Sequence, residues 1–150
     1  MRMILMESKG KVMEGKKIKD IKIGDSGEFE KTITESDVYL FSGITGDFNP
    51  IHINSVEASK TIFKGRLVHG ILTSGLISTA LGTRLPGVGT IYLSQDLKFM
   101  KPVYINDTIK ATVEVKKILR EKNIVIFRTI CTNQHGDIVL EGQATVMPPL

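Results

Sequence analysis

Asp47 and His52 are the residues of this sequence best suited to moving protons. They lie in the run Ser42-Gly43-Ile44-Thr45-Gly46-Asp47-Phe48-Asn49-Pro50-Ile51-His52. An acid and an imidazole brought together by a turn can hold one water molecule and act on it as general acid and base. Asn49-Pro50 supplies the turn, with Asn49 as a supporting residue. The same residues also admit a purely structural reading, in which Asp47 caps the Asn-Pro turn and His52 is a hydrogen-bonded core histidine.

A second run, Val68-His69-Gly70-Ile71-Leu72-Thr73-Ser74-Gly75-Leu76-Ile77-Ser78, reads as the start of a helix. A helix start offers N–H groups without intrahelical partners and the positive end of the helix dipole. Gly70 lets a ligand approach that backbone closely, so its N–H could bind a developing oxyanion. Equally, His69 could do no more than initiate the helix. Ser78, two turns further on, either reaches a ligand with its hydroxyl or packs as a small residue.

Other chemistries fit poorly. His52, His69 and His135 with the single Cys131 match no spaced set of metal ligands. Gly82, Gly87 and Gly89 follow the predicted helix instead of opening one, so no phosphate-binding glycine signature is present. Gly-x-Ser-x-Gly is absent, which removes the usual nucleophile elbow. Cys131 sits in an apolar strand pattern and reads as a small buried hydrophobe.

The elements that must position these residues can be traced in order. Glu28 to Thr34 alternates as a strand. Thr34 with Asp37 three residues on is an N-cap signature for a helix of two to three turns, ended by Gly43 and Gly46. Asn54-Ser55-Val56-Glu57 caps a short helix through about Lys60. A buried helix is predicted from His69 to about Leu85, where Gly75 implies close backbone packing, and Pro86-Gly87 closes it. Period-two patterns follow at Thr90–Ser94 leading into Asp96–Met100, at 109–116, at 124–131 and from Ile138 to Val146, with a turn at 133–137. One long helix followed by antiparallel strands predicts an α+β domain, a curled sheet wrapped on a central helix.

The length suits a single domain, and the single cysteine gives no pointer to an oxidising compartment. No apolar run approaches the ~20 residues of a membrane helix, and the N-terminus lacks a signal-peptide pattern. A cytoplasmic protein is expected. Residues 1–22 carry seven basic residues against three acidic ones, which is the whole net charge of +4. That arm contains no Phe, Tyr or Trp, so nucleic-acid binding is not expected. The chain therefore divides into a basic N-terminal arm, 1–17, and a folded domain, 18–150.

Taken together, the two runs resemble the MaoC-like (R)-specific enoyl-CoA hydratase family. Gly87-Val88-Gly89-Thr90-Ile91-Tyr92-Leu93 and Phe99-Met100-Lys101-Pro102-Val103 followed by Asp107 extend the likeness over roughly residues 20–148. The resemblance implies a single hotdog domain and a homodimer or higher homo-oligomer whose two sheets join, with an acyl-CoA tunnel near the interface. It implies addition of water to a trans-2-enoyl-CoA to give an (R)-3-hydroxyacyl-CoA, without a metal or other cofactor. Asp47 and His52 would be catalytic. Gly70 would polarise the thioester, Ser78 would orient the acid or the substrate, and Asn49 and His69 would support them. The alternatives are a 3-hydroxyacyl-[acyl-carrier-protein] dehydratase with the same residues and a non-catalytic acyl-CoA sensor, which would tolerate loss of Asp47 or His52.

Overall fold

Ile109, Ala111, Val113 and Val115 alternate with polar neighbours, and in the structure all four are fully buried on one face of β3 (Thr108–Leu119). The structure is a computed structural model that describes residues 14–150. Around β3 stand β1 (Ser26–Thr32), β2 (Ile91–Phe99), β4 (Ile124–Thr132) and β5 (Ile138–Met147), in the order β1-β3-β4-β5-β2. Every neighbouring pair is antiparallel.

One helix, α4 (Gly70–Thr83), packs against β1, β2, β3 and β4. β1 and β2 are the two edges of the sheet, so contact with both requires the sheet to curl around the helix. Ile77 and Leu81 of α4 are buried against Phe127, Val113 and the rest of this core. Burial of each such side chain stabilises the fold by about 1.5–3 kcal/mol. The predicted α+β architecture is observed.

Among the described residues, three shorter α-helices precede α4. α1 (Glu35–Thr45) opens on a capping box: the Asp37 N–H donates to Thr34 Oγ1 at 3.3 Å, and the Thr34 N–H donates to Asp37 Oδ2 at 2.8 Å. It runs through Gly43 and ends only at Gly46, where φ is 79°. A glycine without a demand for positive φ does not stop a capped helix, and Gly43 makes no such demand. α2 (Pro50–Ile53) is a single turn where the sequence suggested a bare Asn-Pro turn; Pro50 at its first position suits a helix start. α3 (Ser55–Lys60) is capped by Asn54, whose Oδ1 accepts from the N–H groups of Val56 and Glu57.

Other boundaries differ from expectation. α4 ends at Thr83, two residues short of Leu85, and a cis Leu85–Pro86 peptide follows. Gly75 is exposed, and a Cβ there would meet nothing within 4 Å in this chain, so close packing within the chain does not explain it. β2 runs unbroken, in keeping with the pattern at Thr90–Ser94 that leads into Asp96–Met100, and a bulge at Leu93 absorbs the break in its alternation. Of the arm expected at 1–17, residues 1–13 lie outside the described residues. Gly15 and Lys16 donate backbone hydrogen bonds to the carbonyls of Val88 and Pro86. Among the described residues no helix is long and apolar enough to cross a membrane.

Candidate active site

Positive φ at Gly46 turns the chain sharply out of α1 and brings Asp47 beside His52 and His69, just outside the residues that line a neighbouring cavity. The Asp47 side chain is half exposed. Its Oδ1 accepts from the Asn49 N–H at 3.2 Å, and Asn49 Oδ1 in turn accepts from the Ile51 N–H. Asn49 is therefore the N-cap of α2, which supports both the acid before it and the histidine after it.

His52 lies on α2 and is half-buried. Its Nδ1 is 2.7 Å from the Leu67 carbonyl oxygen. A carbonyl can only accept, so Nδ1 carries the hydrogen and, in the neutral ring, Nε2 keeps its lone pair. That tautomer has a bare basic nitrogen.

His69, the N-cap of α4, is buried with 3% of its side chain exposed. Its Nε2 lies 3.1 Å from the backbone carbonyl of Asp47 and 3.3 Å from Ser42 Oγ. Here Nε2–H is the donor, which leaves Nδ1 as the bare atom, buried and without a partner among the described residues. The ring stacks on His52 at 3.7 Å between centroids and packs obliquely against Phe41 at 4.7 Å. Burial lowers its pKa below the usual histidine range. The Asp47 carbonyl opposes that shift, the His52 ring adds to it, and the Asp47 charge opposes it. A neutral His69 thus ties the Asp47 loop to the start of α4.

Arg66 strengthens the same join from outside, donating to Glu35 and to the Tyr39 hydroxyl of α1. The Arg66 guanidinium holds the Glu35 carboxyl below the ordinary range, helped by the Tyr39 hydroxyl.

A cavity of about 490 Å³ opens beside these groups, lined by His52, Gly70, Phe63, Phe99, Met100 and Leu140 among others. Gly70 is the first residue of α4, and its helix start receives no side-chain cap. The structure therefore brings together Asp47, Asn49, His52, His69 and Gly70. Ser78 is not brought in. It lies eight residues along α4 from Gly70, about 12 Å at 1.5 Å per residue, on an exposed face outside the cavity lining.

Sequence reasoning missed four contributors. Ser42 is buried four residues after buried Val38, so a hydroxyl on an apolar helical stripe was the available signal. Phe41 against His69 and Phe99 against Gly70 depend on tertiary packing. The Leu67 carbonyl has no signal in residue type at all.

One ligand atom from each of Asp47, His52 and His69 lies within 4.8 Å of the others. The cluster is poorly shaped for a metal. The two rings are stacked with only 26° between their planes, so their in-plane lone pairs do not converge on one ion.

A curled antiparallel sheet wrapped on one central helix defines a hotdog-like fold, and an acid and an imidazole lie on the segment leading into that helix. The description "MaoC like domain" matches residues 20–134, and the chain belongs to the MaoC-like family. It is 55% identical over 130 residues to an (R)-specific enoyl-CoA hydratase of Rhodospirillum rubrum, covering 87% of this chain and 90% of that protein. A 3-hydroxybutyryl-CoA dehydratase of Methylorubrum extorquens is 45% identical over 131 residues, with 87% and 82% covered. Among solved structures, the unliganded R-hydratase PhaJ1 of Pseudomonas aeruginosa superposes with a TM-score of 0.86 at 41% identity. That match covers 90% of this chain and 86% of the other.

Proposed function

We propose that this chain catalyses reversible hydration of a trans-2-enoyl-CoA to an (R)-3-hydroxyacyl-CoA. The observation that carries the reading is the His52 tautomer: with Nδ1–H on the Leu67 carbonyl, Nε2 is bare on a residue that lines the cavity with Gly70 and has a ring nitrogen within 4.8 Å of an Asp47 carboxylate oxygen.

The enoyl thioester lies in the cavity with its carbonyl oxygen on the Gly70 N–H. Conjugation makes C3 electrophilic only when negative charge can collect on that oxygen. A fixed backbone donor is worth about 2.7–4 kcal/mol to such a transition state. Asp47 accepts one hydrogen of a water molecule and His52 Nε2 accepts the other; the two residues offer ligand atoms within 4.8 Å of one another, a span that one water can bridge. As the water oxygen bonds to C3, its proton passes to His52 Nε2 and the C2–C3 π pair moves into the enolate. The imidazolium then returns the proton to C2, and the thioester carbonyl re-forms. Both hydrogens come from one face, and no metal or redox group takes part. His69 holds the Asp47 backbone in place while remaining neutral.

Association of two copies suits this reading. β2 is an edge strand with unpaired backbone groups, and its Ile91 and Leu93 are about half exposed. A CoA-dependent reaction of this kind fits a cytoplasmic setting.

The test is loss of the ultraviolet absorbance of crotonyl-CoA with chiral analysis of the product, for the wild type and Asp47→Asn. The expected product is (R)-3-hydroxybutyryl-CoA, with kcat lowered by about 10²–10⁴ in the variant. An (S) product, or near-normal turnover by Asp47→Asn, refutes the reading.

A further inference from the structure

The Phe99 ring stands where a side chain at residue 70 would be. A Cβ built on Gly70 falls 2.5 Å from Phe99 Cε1, 2.8 Å from Cδ1 and 3.1 Å from Cζ. Real Cβ atoms essentially never make such contacts, so a side chain at residue 70 would force the Phe99 ring to move from the start of α4. The backbone that carries the ring is firmly held. Phe99 ends β2 opposite Leu140, and the next residue, Met100, donates its N–H to the Val139 carbonyl at 2.8 Å. Yet Phe99 does not belong to the core: it is 53% exposed and lines the cavity together with His52 and Gly70. A large apolar side chain held on a rigid strand end, half in the open, over the start of the helix, is placed to meet a ligand.

We propose that Phe99 is a specificity-determining residue, the wall against which C1 and C2 of the acyl thioester lie, and that it excludes acyl chains branched at C2. The inference rests on the hydratase reading above. If the thioester oxygen sits on the Gly70 N–H, the carbon bonded directly to that carbonyl lies beside whatever covers Gly70, which is the Phe99 ring. A straight chain presents only hydrogen at C2, whereas a 2-methyl group must compete with the ring for space. One methyl in an apolar pocket is discriminated by about 10- to 200-fold.

The experiment compares wild type, Phe99→Ala, Gly70→Ala and the double variant. Each is assayed for kcat and KM on crotonyl-CoA and on its 2-methyl analogue tiglyl-CoA, and for Tm. Wild type is expected to favour crotonyl-CoA strongly. Phe99→Ala is expected to lower that preference at least about tenfold, gaining on the branched thioester while its KM for crotonyl-CoA rises. Gly70→Ala is expected to lower Tm, and Phe99→Ala in the same chain to restore most of that loss. A preference unchanged in Phe99→Ala, with wild type active, overturns the inference and leaves the hydratase reading intact. The same Tm loss from Gly70→Ala with and without the ring overturns it as well. A wild type inactive on every straight-chain enoyl-CoA removes the hydratase reading and this inference with it.

Discussion

Replacing His52 by Gln separates the base from the scaffold around it. The ring is held by one hydrogen bond, from Nδ1–H to the Leu67 carbonyl at 2.7 Å, and that carbonyl belongs to the segment that leads into α4. A glutamine amide can donate to the same oxygen, so the local fold keeps its anchor, but it has no nitrogen lone pair able to take a proton from water. Loss of a positioned general base costs about 10²–10⁴ in rate. At 1.36 kcal/mol per decade this corresponds to about 3–5 kcal/mol of transition-state stabilisation. The stability change should be much smaller. One neutral hydrogen bond is worth about 0.5–1.5 kcal/mol net, and glutamine can re-form it. Stopped-flow or steady-state hydration of crotonyl-CoA measures the first quantity, and a denaturant midpoint measures the second. A fall of less than tenfold in kcat would mean that His52 is not the base. A large rate loss accompanied by a comparable loss of stability would mean that His52 serves the fold, and the tautomer argument would then be wrong.

Two further outcomes follow from the histidine behind it. Ser42→Ala removes the 3.3 Å contact to His69 Nε2, and the expected cost is about 0.5–1.5 kcal/mol in chemical denaturation; no change would show that the Asp47 carbonyl alone satisfies that N–H. Burial lowers the pKa of His69 in the folded state, so the unfolded chain takes up the proton first. Its contribution to stability is full above about pH 6.5 and is lost as pH falls from there toward the folded value. Denaturant midpoints between pH 8 and 5 should decline over that window, and a His69→Phe variant should lose that component of the slope; an identical slope in the variant would refute the assignment.

Much of the fold was legible because its signals are local. The Thr34–Asp37 capping box, the Asn54 cap and the two-residue alternation of β3 each state their structure within a few residues. Errors arose where a local signal depended on context. Gly43 carries the same stop signal as Gly46, yet of the two only Gly46 adopts positive φ, and Gly75 carries a packing signal although its neighbourhood in this chain is open. The candidate site divides along the same line. Asp47 and His52 were visible as a pair because a turn joins them, and Gly70 because a helix start has free donors whatever its surroundings. The spacing of Ser78 suggested a role that the exposed face of α4 does not support within one chain.

What the sequence could not contain is the protonation pattern of the two imidazoles, and that pattern decides what they can do. The Leu67 carbonyl fixes one ring with Nε2 bare, while the Asp47 carbonyl fixes the other with Nε2–H as donor. Both partners are backbone oxygens, which every residue type supplies. Two stacked histidines of the same residue type are therefore given opposite tautomers by the path of the main chain. One ring can accept a proton in the cavity. The other, buried and kept neutral, holds the carboxylate loop beside it. Substituting Leu67 would leave its carbonyl in place, so side-chain replacement there should spare the His52 tautomer, whereas any change that re-routes the segment from Leu67 to Gly70 should disturb the base, its neighbour and the oxyanion donor together.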